Sequence, residues 1–337
     1  MRIAIFSTRT YDREGLEAAN AAAGAPHTLV FHEAELTAAS APLAAGCQAV
    51  CVFVNDRLDS ACLAALAAQG VAHVALRCAG FNNVDLAAAA ALGLSVQRVP
   101  AYSPHAVAEF AIALLLSASR QVHRAYVRTR ENNFALDGLV GRNMHGRVAG
   151  VVGTGRIGAV VARILAAGFG CQVLACDPAP DPALEALGVR YVAREQLLRE
   201  AEIITLHCPL TPESHHMIDA AMLAACRPGL VLVNTSRGAL IDTAALIGAL
   251  KAGRLGAVAL DVYEQEGDLF FRNLSDAIIA DDVFQRLLSF PNVLVTGHQA
   301  FLTHEALSAI AQTTIANLTA AASGAGHTNA VGPQMMR

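Results

Sequence analysis

The sequence predicts an α/β protein made of two doubly wound parallel-sheet domains with a cleft between them. Residues 1 to about 100 alternate short apolar runs with alanine-rich helical stretches, the pattern of a parallel sheet covered by helices on both faces. A second strand–helix series begins near Val148 and runs past residue 290. The glycine-rich turn that opens this second series lies mid-chain, at Gly153–Gly158. At 337 residues the chain is long enough for two such domains.

In the first series IAIF, TLVF, AVCVFV, HVAL and LSVQRV read as strands. Glu14–Ala23, Ser60–Gln69 and Val84–Leu92 read as helices. No G-x-G-x-x-G follows the first strand, so this half is not expected to bind a dinucleotide. Its loop from Leu76 to Asn83, containing Arg77, Ala79 and Gly80, follows a strand and precedes a helix. Ligands sit at such strand ends in open α/β sheets, and the backbone N–H groups of small residues can reach a carboxylate. A plain strand–helix turn explains the same residues equally well.

Pro100-Ala101-Tyr102-Ser103-Pro104 breaks the pattern. A long helix from about His105 to Thr129 should follow, with Ser103 as N-cap and Pro104 at N1. Residues 130–146 are polar and glycine-containing and read as an arm or loop. The last helix, about Glu305–Ser323, is expected to return to the first domain. The expected division is therefore 1–101 plus 300–337 for the substrate domain and 102–299 for the dinucleotide-binding domain.

The turn has its full context. Val148–Val152 is a buried strand; Gly153, Gly155 and Gly158 give G-x-G-x-x-G; Ile157, Val160, Val161, Ile164 and Leu165 follow with helical spacing; Cys171–Cys176 is a second strand ending in Asp177. The glycines permit the tight turn, the approach to a pyrophosphate and close helix–strand packing. The helix N-terminus offers N–H groups to the phosphates. Asp177, about 20 residues on, is placed to bind both ribose hydroxyls. Its charge would repel a 2′-phosphate, so NAD is expected rather than NADP.

Composition narrows the alternatives. The chain is 54% hydrophobic and 15% charged with net charge -4, which suits a large core and argues against nucleic acid as a partner. No run of 18 apolar residues is present, so no membrane span is expected, and the N-terminus reads as a first strand. Eight dispersed cysteines without C-x-x-C pairs suit reduced, mostly buried thiols in a cytoplasmic protein. No metal site is expected: there is no zinc spacing, and the adjacent His215 and His216 should point apart on a helix or strand.

Polar groups recur just past strands of the second series. Arg237 follows Leu230–Asn234, Glu264 and Glu266 follow Gly256–Leu260, and His298 follows Asn292–Thr296. In a parallel sheet all of them project from the edge that carries the glycine turn. Hydride transfer to a carbonyl needs a proton donor and an anchor. His298 can donate the proton, a neighbouring carboxylate can orient the imidazole and favour its charged form, and Arg237 can hold a substrate carboxylate with two parallel hydrogen bonds. Spacing alone leaves Glu264 and Glu266 as rivals for the carboxylate role. A solvated loop residue is the plainer explanation for each taken singly.

Three segments carry a family resemblance: Asn234-Thr235-Ser236-Arg237-Gly238, Asp261-Val262-Tyr263-Glu264-Gln265-Glu266 and Gly297-His298-Gln299-Ala300-Phe301. They resemble signatures of the D-isomer-specific 2-hydroxyacid dehydrogenases, most nearly the bacterial fermentative D-lactate dehydrogenases. The likeness extends to Leu76–Asp85, Pro100-Ala101-Tyr102, His207-Cys208-Pro209-Leu210-Thr211-Pro212 and Asp268-Leu269-Phe270-Phe271, nearly the whole chain. It implies a flavodoxin-like substrate domain beside a Rossmann NAD domain. It makes Arg237 the anchor, His298 the acid/base and Glu266, not Glu264, its partner. It places Arg156, Ile157, Asp177, Cys208, Pro209, Thr235, Ser236 and Asp261 around NAD, with Ser214 where related enzymes often have Asn. Backbone groups of Ala79 and Gly80, beside Arg77, would take the substrate carboxylate, and Tyr102 and Phe301 would close a small pocket. The implied reaction is NADH-dependent, reversible reduction of pyruvate to D-lactate by a homodimer or homotetramer. Two other readings stand beside it: a dehydrogenase for another small 2-keto acid (hydroxypyruvate, glyoxylate or phenylpyruvate), and an NAD-sensing co-repressor-like binding protein.

Overall fold

The apolar runs of the first hundred residues become five strands: β1 (Arg2–Ile5), β2 (Thr28–Phe31), β3 (Ala49–Val52), β4 (His73–Leu76) and β5 (Ser95–Gln97). All pair in parallel, in the order β2-β1-β3-β4-β5, the flavodoxin-like doubly wound order. The computed structural model describes residues 1–325 and 329–336. Within it the chain divides into two units, Met1–Ser103 with Leu302–Arg337, and Pro104–Phe301.

In the first unit the last helix, His304–Ser323, lies on the sheet: Ala311, Ile315 and Leu318 pack with Ile3, Ile5, Ala49, Cys51 and Ala75. Thr303 caps it by accepting the Ala306 N–H. The first helix runs Thr10–Ala22, starting four residues before Glu14. The Asp12 carboxylate accepts the Arg9 N–H at 3.0 Å and closes that extra turn, a local bond that apolar periodicity does not report.

The second unit holds seven parallel strands: β6 (Val148–Val152), β7 (Gln172–Cys176), β8 (Arg190–Tyr191), β9 (Ile203–Leu206), β10 (Leu230–Asn234), β11 (Leu255–Leu260) and β12 (Val293–Val295). Their order is β12-β11-β10-β9-β6-β7-β8. The order reverses between β6 and β9, and a doubly wound sheet binds ligands outside the carboxyl ends of its strands at that point. Successive side chains of each strand go to opposite faces, and both faces are dry. On one, Ala149, Val151, Val173, Val231 and Val233 pack against Leu114, Leu115 and Ala118. On the other, Val152, Leu174, Ile204, Leu232 and Val258 pack against Leu197, Leu198, Leu246 and Leu250.

The expected long helix from His105 is two helices, Pro104–Arg120 and Val122–Arg130, separated by Gln121 at φ 52°. The buried stripe runs out at Ser119, and the second helix has no buried residue. The break is held by an Arg124–Gln121 side-chain hydrogen bond of 2.8 Å and by Gly141, which crosses the helix end so closely that a β-carbon there would lie 2.6 Å from the Ser119 carbonyl oxygen. The helix at Arg156 gives way to a π-helical turn, Ile164–Gly168. All eight cysteines are free, six of them buried. Among the described residues no helix is long and apolar enough to cross a membrane.

Candidate active site

The carboxyl end of β6 runs into Gly153 at φ 86°, a left-handed conformation suited to glycine. A β-carbon on Gly158 would lie 1.9 Å from the Gly153 carbonyl oxygen, and one on Gly153 would lie 2.7 Å from the Cys208 N. Turn, helix and the end of β9 are thus packed backbone to backbone. Gly155, the N-cap of the helix Arg156–Arg163, is different: it is exposed and its missing β-carbon faces open space. A helix N-terminus with no capping side chain and room above it fits a pyrophosphate. Arg156 is exposed at this rim and Ile157 packs into the core below.

Asp177, at the tip of β7, accepts the Thr154 N–H at 2.6 Å and the Ala179 N–H at 2.8 Å. Each carboxylate oxygen keeps a second lone pair for a ribose hydroxyl. Thr235 is buried, and its Oγ1 has no hydrogen-bond partner, an orphan that a ligand amide or hydroxyl would satisfy. Glycine cradle, acid and orphan hydroxyl together fit NAD. The neighbouring groups shape the wall. The Ser236 hydroxyl donates to the Cys208 carbonyl at 2.7 Å and the Ser214 hydroxyl to that of Pro209 at 2.8 Å. The Ser214 oxygen also accepts the Thr211 N–H at 2.7 Å, so its work here is to fold the 209–214 turn. Burial pushes the Cys208 thiol up to about 11, so it stays protonated at neutral pH.

His207 stands behind the glycine turn, its Nε2 2.8 Å from Thr205 Oγ1. Desolvation lowers its imidazole from 6.5 to about 4. The unfolded chain therefore takes up this proton near 6.5 and the folded chain only near 4, so stability is expected to fall as pH drops through that window. Urea midpoints at pH 7 and pH 5 check this. His207→Asn should lose less on acidification than the parent chain, and an equal loss would remove His207 from the account.

The candidate catalytic groups sit on the loops after three adjacent strands. His298 follows β12, and its Nδ1 lies 2.8 Å from Glu266 Oε1. The other oxygen, Oε2, accepts the Tyr263 N–H at 3.0 Å. Glu264 is committed elsewhere: Oε1 is 2.6 Å from His216 Nε2, and Oε2 accepts from Thr243 N and Oγ1. Of the two carboxylates that spacing left as rivals, Glu266 is the one that meets His298 and Glu264 the one that meets His216. Arg237, after β10, is half-buried and donates from Nη1 to the Ser236 carbonyl at 2.7 Å. The next residue, Gly238, has no room for a side chain, since a β-carbon would meet the Tyr263 carbonyl carbon at 2.1 Å. That contact ties the arginine loop to the loop that carries Glu266.

Asp261 anchors the loop that carries His298. Its side chain has no exposed surface, and its carboxylate accepts from Thr296 Oγ1 (2.5 Å), Gln299 N (2.9 Å) and Ala300 N (2.8 Å). The His298 N–H donates to the Asp261 carbonyl at 2.7 Å, and His298 sits at φ 54°. Burial raises its carboxyl above the ordinary value despite the three donors. Asn234, also fully buried, does the same for Arg237: its amide donates to the Arg237 carbonyl at 2.9 Å and accepts the Ser236 N–H at 3.0 Å. Sequence reading passed over Asn234 as a functional residue. A polar side chain closing an otherwise apolar strand was the available signal.

Arg77 is buried. Its side chain is 1% exposed, bonded to Asp12 at 3.1 Å and to the Ser7 carbonyl at 2.8 Å, with its guanidinium over the Phe53 ring. Burial alone would lower its pKa; Asp12, with help from Cys51 and Asp56, raises it instead. Among the described residues its Nη1 meets no hydrogen-bond partner. Ala79 and Gly80, half-buried in the same loop, use their carbonyls on Arg98 and the Cys78 thiol; among the described residues their N–H groups meet no acceptor. Tyr102 is half-buried in the first unit, and Phe301 is buried in the second.

His215 and His216 do not point apart. Their rings stack with centroids 3.9 Å apart because His216 adopts φ 51°, a left-handed turn that suspends the alternation of a strand.

Comparison with known proteins defines the class. Residues 112–300 match the family described as D-isomer specific 2-hydroxyacid dehydrogenase, NAD binding domain. The chain is 52% identical to D-lactate dehydrogenase of Escherichia coli, with 94% of this chain and 96% of that protein covered. It is 53% identical to a 2-hydroxyacid dehydrogenase homolog of Haemophilus influenzae, with 94% and 95% covered. Among solved structures, apo D-lactate dehydrogenase from E. coli superposes with TM-score 0.89 at 49% identity over 98% of this chain and all of that one. D-lactate dehydrogenase from Aquifex aeolicus complexed with NAD and lactic acid gives 0.84 at 29% identity, covering 96% of each. Fold and site thus define an NAD-dependent oxidoreductase. The chain belongs to the D-isomer-specific 2-hydroxyacid dehydrogenase family.

Proposed function

We propose that this enzyme interconverts pyruvate and D-lactate, with His298 as acid/base, Glu266 orienting it and Arg237 as the carboxylate anchor. The observation that carries the reading is the 2.8 Å His298–Glu266 contact on a sheet edge that also holds Arg237 and the NAD cradle. Bound NAD supplies or accepts the hydride. In reduction, protonated His298 gives its proton to the carbonyl oxygen, and Glu266 stabilises the imidazolium beforehand. The guanidinium of Arg237 holds the carboxylate and polarises the carbonyl. The Phe271 ring, 5.6 Å from that of His298 between centroids, is a bulky neighbour that favours a small substrate. The names of the closely similar E. coli relative and structure support pyruvate over bulkier keto acids. Steady-state NADH oxidation against pyruvate, hydroxypyruvate, glyoxylate and phenylpyruvate, with product chirality, decides it. D-lactate formed at the highest kcat/KM is expected. Preference for another keto acid, or L-lactate as product, overturns the assignment.

Asp177 selects NAD. Asp177→Ala removes an acceptor for two ribose hydroxyls and a repulsive charge, so kcat/KM with NADH should fall by about 10- to 100-fold while NADPH gains relative to NADH. An unchanged NADH/NADPH ratio contradicts this role.

A cytoplasmic homo-oligomer completes the proposal. The candidate face is 122–140, where Val122, Tyr126, Val127, Phe134, Leu136 and Val140 are exposed, an apolar patch that a second copy would cover. Sedimentation of Leu136→Asp should show a shift towards monomer; an unchanged oligomer places the interface elsewhere.

A further inference from the structure

Away from the reaction centre the fold gathers three metal-ligating side chains. The ligand atoms of His215, His216 and Glu264 all lie within 4.8 Å of one another. The backbone makes this arrangement. His215 N–H bonds the Thr211 carbonyl at 2.9 Å, His216 N–H bonds that of Ala239 at 2.8 Å, and His216 takes φ 51°. A left-handed conformation is unfavourable for a residue with a β-carbon, and here it turns two consecutive imidazoles into a stacked pair with 25° between the planes.

The third ligand is already oriented. Glu264 Oε1 is 2.6 Å from His216 Nε2, while Oε2 accepts from Thr243 N at 3.2 Å and Thr243 Oγ1 at 2.8 Å. Such an outer hydrogen bond fixes ligating carboxylates in metal centres. Glu264 lies below the ordinary carboxyl value: burial pushes it up, but the bonds from His216 and Thr243 outweigh that, so it is an anion at neutral pH. Two imidazoles and one carboxylate are the donor set of a zinc-class ion with an open fourth position, whereas magnesium and calcium call for oxygen ligands.

We propose that His215, His216 and Glu264 form a binding site for one zinc-class divalent transition-metal ion, with water as the fourth ligand. The ion takes the place of the proton shared between His216 and Glu264, and that proton leaves to solvent. Exposed His215 swings in to close the set, because tetrahedral zinc holds its nitrogens at about 2.0–2.1 Å. Affinity therefore falls as pH falls. Occupancy cross-links the turn at His215–His216 to the loop that carries Glu264.

The test is competition between the full-length protein and a chromophoric chelator for zinc, paired with cobalt(II) absorption. One zinc per chain is expected, with the intense visible band of tetrahedral cobalt. His215→Ala should weaken binding by about tenfold or more and abolish the cobalt band, while metal-free NADH oxidation stays as in the parent chain. Thr243→Val, which leaves all three ligands in place, should weaken binding by about 10- to 100-fold. Unchanged zinc affinity in His215→Ala would assign the metal to thiols or other surface groups and overturn the site, as would a weak octahedral cobalt spectrum.

Discussion

Replacing His298 by asparagine is expected to lower kcat for pyruvate reduction by about 10²–10⁴-fold with little change in NADH affinity. The imidazole is the group placed to give a proton to the carbonyl oxygen, and asparagine keeps polarity and volume but offers no acidic proton. The loss is expected in kcat and kcat/KM alike, because the proton is transferred in the transition state and not in the ground-state complex. Asp261 and Thr296 still hold the 296–300 segment, so the fold should survive, and a coenzyme titration will show whether the NAD cradle is intact. Glu266→Gln should show a smaller fall, since the imidazole remains but loses the anion 2.8 Å away that favours its charged form.

Arg237→Met should weaken transition-state binding by about 2–5 kcal/mol, which is roughly a 30- to 5,000-fold loss in kcat/KM. A guanidinium presents two parallel donors to a carboxylate, and methionine fills similar space with none. Arg237→Lys should recover only part of the loss, because an ammonium is a point charge without the fork. KM for pyruvate should rise as kcat falls, in contrast to His298→Asn. The buried amide of Asn234 pins the Arg237 carbonyl, so the loop keeps its course in the variant. Equal kinetics in the Met and Lys variants would mean that charge without the fork is immaterial, and parent-like kinetics in both would contradict the anchor role.

Both domain classes were legible from period and punctuation. Parallel strands buried on two faces read as unbroken apolar runs, and the mid-chain position of the glycine turn separated the two halves. His298, Glu266 and Arg237 stand out because a polar residue just past an apolar strand is conspicuous, and the fold brings Glu266 to His298. What spacing does not show is direction. The guanidinium of Arg77 turns to Asp12 and Phe53. The carboxylate of Asp261 turns to Thr296, Gln299 and Ala300. His215 and His216 come together through one left-handed residue, which no periodicity encodes. The helix from Pro104 ends at Arg120 because the segment 140–142 crosses its end, a contact between residues about twenty apart.

The most direct test of His298 as acid/base is the pH dependence of single-turnover pyruvate reduction, with deuterated NADH used to confirm that chemistry limits the rate. The parent chain should lose rate on the alkaline side as His298 gives up its proton, and the reverse oxidation should gain. Glu266→Gln, which keeps the imidazole, should keep the fall at a lower rate throughout. In His298→Asn the fall should vanish from a slow, flat profile. An alkaline limb that persists unchanged in His298→Asn would contradict the mechanism and assign the proton to another group.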